Sequence, residues 1–182
     1  MSDNMLGINE VRGTLTDLLE KLGSDKGDEW HKALKRFLRK ENPWGVPDFI
    51  DCDADPFVPE GWVVVEHRKG GKFAVANLKK IQLFLSDGQK KDKRLTGKQL
   101  RKELEDKPVL NANVMNFFLK YPELIPEKWK RKTVYFWGTV YRHLDGNLCV
   151  HCLRWHGGAW VSCNDPIDDW WVSDNFVALA PV

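Results

Sequence analysis

The residues best suited to chemistry lie in one short stretch of the chain, residues 148–160, "LCVHCLRWHGGAW". This stretch holds Cys149, His151, Cys152 and His156, and Cys163 follows it closely. Thiolates and imidazoles are common zinc ligands, and a Cys-x-x-Cys pair is also the redox unit of thioredoxin-like proteins. The stretch therefore raises three alternatives: a metal site, a redox pair, or a β-hairpin that carries ordinary cysteines.

The spacing of the cysteines favours the hairpin. Side chains alternate along a strand, so Cys149 and Cys152 face opposite sides, whereas zinc-binding cysteine pairs usually lie on a turn. A redox Cys-x-x-Cys precedes a helix whose N-terminus lowers the thiol pKa, and no helix is predicted after Cys152. We therefore expect no metal and no cofactor. The start, "MSDNMLGINEV", does not resemble a signal peptide, so we expect a cytoplasmic protein with reduced thiols at all four cysteines: Cys52, Cys149, Cys152 and Cys163.

Other catalytic signatures are missing from the sequence. It contains no Gly-x-Ser-x-Gly, no glycine-rich phosphate loop and no His-Glu-x-x-His. Adjacent acids such as Asp168 and Asp169 could serve a hydrolase, but most globular proteins contain such pairs. The sequence favours a binding protein over an enzyme.

Hydrophobic periodicity predicts an α+β fold that begins with a helical hairpin in residues 1–44. Leucines recur at helical spacing in "TLTDLLEKLG", and an apolar stripe runs through "DEWHKALKRFLRKENPW" up to Pro43. Residues 45–61, "GVPDFIDCDADPFVPEG", are rich in proline, glycine and acids, which predicts a linker or a long loop. An α+β domain is expected to occupy residues 62–182.

The predicted domain has a mixed middle and a C-terminal antiparallel β-meander. "WVVVEH" and "KFAVAN" flank Gly70-Gly71 and predict a hairpin, which "IQLFLS" follows. Thr96 and Gln99 form a capping box for one helix, and Asn111 suits the N-cap of the next. The meander is predicted from four strands: "TVYFWGTVYR", "NLCVHCLRW", "AWVSC" and "NFVALA".

Several phrases resemble a family of uncharacterised proteins from genomes of uncultured bacteria. They are "KALKRFLRKENPW", "KKIQLFLS", "LRKELEDKPVLNANV", "YPELIP" and "YFWGTVYR" with "DGNL". The likeness runs from about residue 12 to the end of the chain. The resemblance implies a natural, intracellular bacterial protein, and it implies neither an activity nor a fold.

Charge is strongly segregated along the chain. Residues 61–132 carry a net charge of +10, whereas residues 1–60 carry −5 and residues 133–182 carry −3. Such asymmetry indicates either a surface that binds a polyanion or basic and acidic segments that pack together or stay solvated. No apolar run approaches the roughly 18 residues of a membrane span, so we expect no membrane partner.

Nucleic acid is the leading expected partner, and an acidic protein is the next. Two helices followed by hairpins have the order of a winged helix-turn-helix, but Val114, Phe117 and Phe118 predict a buried second helix. The basic residues before and after it suit phosphate contact with little base readout. The predicted phosphate-binding residues are Lys90, Lys91, Lys93, Arg94, Lys98, Arg101, Lys102, Lys128, Lys130, Arg131 and Lys132.

The nine tryptophans of the chain suggest an alternative, a protein-protein interaction module. Alternate aromatic side chains on a C-terminal sheet could line a groove for a peptide or a planar ligand, or they could pack against the helices instead. The groove residues under this alternative are Tyr135, Trp137, Trp155, Trp160, Trp170 and Trp171.

Overall fold

The computed structural model describes residues 8–39 and 45–181, with side chains from residue 11 onward. The chain divides into two compact units, Met1–Pro47 and Asp48–Val182. Helices come first, a mixed region follows, and antiparallel strands lie near the C-terminus, so the expected α+β class is confirmed.

The N-terminal unit is a helical hairpin of α1 (Ile8–Leu22) and α2 (Gly27–Leu38). Its turn is closed by backbone hydrogen bonds, including one of 2.9 Å from the Gly27 amide to the Ser24 carbonyl. The helices meet through apolar side chains around Ala33, which is buried. Pro43, the predicted stop of the second helix, lies outside the described residues.

The second unit contains the sheet and three further helices. Its strands are β1 (Phe49–Asp51), β2 (Val63–His67), β3 (Lys72–Ala74), β4 (Gln82–Phe84), β5 (Leu95–Thr96), β6 (Thr133–Arg142), β7 (Leu148–His156), β8 (Ala159–Pro166), β9 (Trp170–Trp171) and β10 (Asn175–Leu179). Its helices are α3 (Asp87–Lys90), α4 (Gly97–Glu103) and α5 (Ala112–Lys120), with 3-10 turns at Val75–Lys80, Pro122–Leu124 and Glu127–Trp129.

Strand β6 is the centre of a six-stranded sheet, in which five strands have the order β4-β10-β6-β7-β8 and β2 also pairs with β6. One edge of β6 pairs with β7. The other edge is shared, because β10 pairs in parallel with Thr133–Tyr135 and β2 pairs in antiparallel with Thr139–Arg142. The register with β7 shifts between Tyr135 and Val140, so a bulge separates the two halves of β6.

Gly138 lies in this bulge and is required by a close approach. A Cβ atom there would come within 2.9 Å of Asn111. The Gly138 amide donates to the Leu110 carbonyl at 3.0 Å, and its own carbonyl accepts from the Arg68 amide at 2.7 Å. The backbone of the bulge is therefore hydrogen-bonded to the segment that contains Leu110 and to the segment that contains Arg68.

Each face of the sheet carries its own hydrophobic core. Val134 and Phe136 belong to the core that contains α5, whereas Tyr135 and Trp137 belong to the core that contains α4. Because alternate residues of a strand face opposite sides, the two helices lie on opposite faces of the sheet. They therefore do not form a winged helix-turn-helix, and α5 is buried as its sequence indicated.

Two strand pairings differ from those expected. β2 and β3 do not form a hairpin across Gly70-Gly71, because β2 pairs with β6 and β3 pairs with β1. β1 lies within residues 45–61, so part of the predicted linker or loop is a strand. The meander is confirmed over β6, β7 and β8, but the fourth predicted strand, β10, pairs in parallel with β6 rather than with β8.

The cysteine-rich stretch forms a β-hairpin of β7 and β8. Gly157 and Gly158 both have positive φ, at 58° and 85°, as a tight two-residue hairpin turn requires. Cys152 lies directly opposite Cys163, with a Cα–Cα distance of 5.1 Å, and the two form a disulfide. The expectation of four reduced thiols is therefore wrong for this pair, whereas Cys52 and Cys149 are buried thiols.

The disulfide predicts the number of thiols that can be alkylated after unfolding. Denaturation without reductant should expose Cys52 and Cys149 alone, so iodoacetamide should add two groups per chain by mass spectrometry. Prior reduction should raise the number to four, because Cys152 and Cys163 are then released. A Cys152→Ser, Cys163→Ser control should give two under both conditions, and four additions without reductant would contradict the bond.

A second prediction concerns Gly97, where α4 packs tightly on the loop before β9. A Cβ atom there would lie 1.7 Å from the Ile167 carbonyl oxygen and 2.9 Å from the Trp171 indole nitrogen. Gly97→Ala should lower the free energy of unfolding by about 1–3 kcal/mol in urea titrations, because the helix must shift. Gly13→Ala in α1, where a Cβ meets no atom within 4 Å, is the control and should not destabilise the protein. Equal stability of the Gly97 variant and the unaltered protein would refute this packing.

Candidate functional site

The structure brings two basic segments to the same end of the sheet. The first, residues 90–102, starts at the last residue of α3, the helix that follows β4. The second, residues 128–132, directly precedes β6. Phe84 at the end of β4 is aligned through β10 with Tyr135 near the start of β6. Only β10 separates β4 from β6, so the two strand ends are about two strand spacings, or ~10 Å, apart. Segments distant in sequence therefore become neighbours.

Helix α3 is fixed in place by a buried glutamine. Ser86 and Gln89 form a capping box, and both side chains are fully buried. The Gln89 amide nitrogen donates to the carbonyls of Val172 at 2.8 Å and Asn175 at 3.1 Å. These bonds hold α3 against the segment that leads into β10. The exposed lysines of α3 and of the turn that follows thus extend from an anchored backbone.

The second basic segment is anchored by a buried tryptophan. Trp129 has no exposed surface, and its ring packs edge-on against Phe118 of α5 at 5.4 Å. Its neighbours lie against aromatic rings nearer the surface. The Lys130 ammonium is 4.2 Å from the centroid of Trp155, and the Lys132 ammonium is 4.4 Å from that of Phe176. These cation–π contacts hold lysine side chains at the sheet end.

Four of the eleven predicted phosphate-binding residues form salt bridges. Lys90 pairs with Asp87 at 3.0 Å, Lys98 with Asp168 at 3.8 Å, Lys130 with Glu127 at 2.9 Å, and Arg101 with Glu66. The other seven, all exposed or partly exposed, have no carboxylate partner within the described ranges, and they can meet an anion without losing an ion pair. They are Lys91, Lys93, Arg94, Lys102, Lys128, Arg131 and Lys132.

The pairing of Asp87 with Lys90 affects the pKa of the carboxylate. The pKa of Asp87 is lowered first by its hydrogen bond with Lys90, then by the charge of Lys90 and, more weakly, by that of Lys91. Asp87 therefore engages Lys90, whereas Lys91 has no carboxylate partner among the described residues.

A shallow groove of about 380 Å³ runs along the exposed side of α4. Its cations are Arg68, Lys98, Arg101 and Lys102, and its acids are Glu66 and Glu105. The Glu66 carboxylate accepts from Arg68 Nε at 3.0 Å and from Arg101, so two guanidinium groups share one carboxylate. The groove therefore keeps a positive balance, although it contains two acids.

The predicted aromatic groove does not form. Tyr135, Trp137 and Trp171 are at most 3% exposed and pack together, with Trp171 4.5 Å from Tyr135 and 4.9 Å from Trp137 between ring centroids. They are core residues, because their side of β6 is covered by α4 and β9. Trp155 and Trp160 form a cross-strand pair at the β7–β8 turn, and Trp170 is exposed on β9. The six residues therefore do not share one surface.

A polar network near the β6 bulge is the main feature that the sequence did not reveal. His67 Nδ1 lies 2.9 Å from the Thr139 hydroxyl, which accepts a hydrogen bond from the Ala112 amide at 3.0 Å. The Asn111 side chain donates to the carbonyls of Cys52 at 2.8 Å and Arg68 at 3.1 Å. The sequence indicated Asn111 only as a helix cap. These bonds join residues far apart in sequence, so no local pattern predicts them.

The buried nucleophilic and titratable groups are held in their neutral forms. Cys52 borders a cavity of about 250 Å³, and burial, reinforced by Asp53, raises its thiol pKa to about 11. His151 stacks on Tyr141 with ring centroids 4.3 Å apart, and burial lowers its pKa to about 4. At neutral pH the thiol is protonated and the imidazole is uncharged, so neither is activated for nucleophilic or acid-base chemistry.

Comparisons with known proteins found no match among protein-family models, curated proteins or solved structures. In the described ranges, no helix has both the length and the apolar character needed to cross a membrane.

Proposed function

We propose that this chain is a non-catalytic cytoplasmic protein that contacts nucleic-acid phosphates through the two basic segments, without sequence preference. One observation carries the proposal: the cations of α3 and of the turn after it lie at the same end of the sheet as those of residues 128–132. Nucleic-acid backbones carry closely spaced negative charges, and their neutralisation by lysine and arginine releases counterions. The sequence resemblance adds the proposal that the chain is one of a family of bacterial proteins.

The absence of sequence preference follows from the chemistry of the surface. Base readout requires side chains held at the base edges, usually by a helix in the major groove. The helix with the expected position for that role, α5, is buried against the sheet. The long cationic side chains that remain suit phosphate oxygens, which are the same for every sequence.

An acidic protein is the alternative partner, and the same cations would serve it. The Trp-rich sheet gives this alternative less support, because Tyr135, Trp137 and Trp171 lie in the core. A folded acidic partner would also present its carboxylates in one fixed arrangement. Nucleic acid offers a regular phosphate array to both segments at once, which favours the first proposal.

Charge reversal at cations without salt bridges tests the proposal most cleanly. Lys91→Glu, Lys93→Glu and Arg94→Glu together should weaken binding to fluorescein-labelled random DNA at least tenfold, because three phosphate contacts become repulsive. Fluorescence anisotropy at two salt concentrations measures this. For the unaltered protein, about five contacts predict a loss of affinity between about 50 and 200 mM salt of roughly 500-fold for a duplex and roughly a hundredfold for a single strand.

The matched control makes the same change in total charge elsewhere. Lys26→Glu, Lys32→Glu and Lys35→Glu alter exposed residues of the N-terminal unit and should change the affinity much less. Arg101 is left unaltered because it pairs with Glu66, so its reversal could disturb the fold. Equal losses in both triple variants would show that net charge matters and the proposed surface does not. Absence of binding at low salt would refute the proposed function.

A further inference from the structure

We propose that the nucleic acid bound is single-stranded and that Trp170 stacks on one of its unpaired bases; this inference rests on the proposed function. Trp170 is 58% exposed, whereas the adjacent Trp171 is 1% exposed. A tryptophan buries a large apolar surface when it finds a partner, so an exposed indole provides a ready contact area. The side chains around Trp170 indicate which kind of partner it contacts.

Two cations and two acids, Asp168 and Asp169, surround Trp170. Trp170 lies directly opposite Thr96 in the β5–β9 pair. Thr96 is the N-cap of α4, so Arg94 and Lys98 lie two residues away on either side of it. Arg94 lies diagonally across the strand pair, within reach of a long side chain, whereas Lys98 lies in the first turn of α4. The Lys98 side chain is 83% exposed, so both the indole and the nearby cation are accessible.

The backbone beneath Trp170 is held firmly. The Trp170 amide donates to the Asp169 carboxylate at 2.7 Å, and the neighbouring Trp171 indole is inserted among the buried aromatic rings of the α4 core. A side chain on a fixed backbone loses little conformational entropy when it binds. Trp170 is therefore suited to act as a stacking platform.

The arrangement distinguishes single strands from duplexes. An indole can stack only on a base whose face is accessible, and in a duplex the neighbouring base pairs cover those faces. Every base has such a face, so stacking adds affinity without sequence preference. Proteins that bind single strands combine exposed aromatic rings, which stack on the bases, with cations, which contact the phosphates. Asp168 and Asp169 also lie beside Trp170; Asp168 pairs with Lys98 and Asp169 accepts the backbone bond, so Arg94 is the neighbouring cation that has no carboxylate partner among the described residues.

The test measures anisotropy of the full chain with two labelled probes at low salt, an oligodeoxythymidine of about 12 nucleotides and a duplex of random sequence. Trp170→Ala should weaken binding to the oligodeoxythymidine about tenfold and leave duplex binding unchanged, because the duplex has no base to stack. Trp170→Phe should retain most of the single-strand affinity. Phe57→Ala is the control: it removes another exposed aromatic, 67% accessible, from the acidic segment, and it should change neither affinity.

Each outcome separates this inference from the proposed function. If Trp170→Ala leaves single-strand binding unchanged while the charge reversals abolish it, the stacking inference is wrong and phosphate binding stands. Equal losses for both probes would also overturn it, since the loss would then reflect a general disturbance. If neither probe binds the unaltered protein, the proposed function and the inference fail together. Selective loss for the oligodeoxythymidine, rescued by phenylalanine, supports the inference.

Discussion

The shared edge of β6 is the constraint on which the rest of the structure depends. A single ten-residue strand has one edge for β7 and divides the other between β10 and β2. The bulge with Gly138 lies between the two paired stretches, and a bulge bends a strand and increases its local twist. The bulge leaves backbone groups outside the ladder, and the segments that contain Leu110 and Arg68 satisfy them.

The position of the basic surface follows from this arrangement. Because β10 pairs with the first half of β6, the C-terminal end of β4 lies close to the N-terminal end of β6. The basic segments attached to these two ends are therefore neighbours. Their apolar and amide side chains, such as Gln89 and Trp129, are buried, so their cationic side chains remain outside. Two acids of this unit are engaged by other side chains: Glu66 contacts two arginines, and Asp165 accepts a hydrogen bond from Tyr135. Burial and this bond raise the Tyr135 pKa above its ordinary value, so the phenol remains the donor.

The sequence correctly predicts the features of the fold whose determining interactions are local. The capping box of Thr96 and Gln99, the Asn111 cap and the β7–β8 hairpin all depend on residues within a few positions of each other. The position of β10 could not be predicted, because it depends on which edge of β6 is unoccupied. The assignment of α4 and α5 to opposite faces depends in the same way on the complete sheet. The basic residues were identified from charge alone, but their meeting at one sheet end required the topology.

The disulfide is a different case, because the sequence contained the signal for it. A two-residue turn at Gly157-Gly158 fixes the register of the hairpin, and that register places Cys152 opposite Cys163. The expectation of a reducing compartment led to the opposite assignment. Cys152 has no exposed surface, which limits the access of reductants to its sulfur in the reducing cytoplasm that we propose for the protein.

A residue-resolved NMR titration with oligodeoxythymidine at low salt tests the central claim most directly. We predict that the amide shifts concentrate in residues 90–102 and 128–132 and that the Trp170 indole signal shifts with them. Added salt should reverse all of these changes. Shifts concentrated in the N-terminal helices or in the acidic residues 48–60, or no shifts at any oligonucleotide concentration, would contradict it.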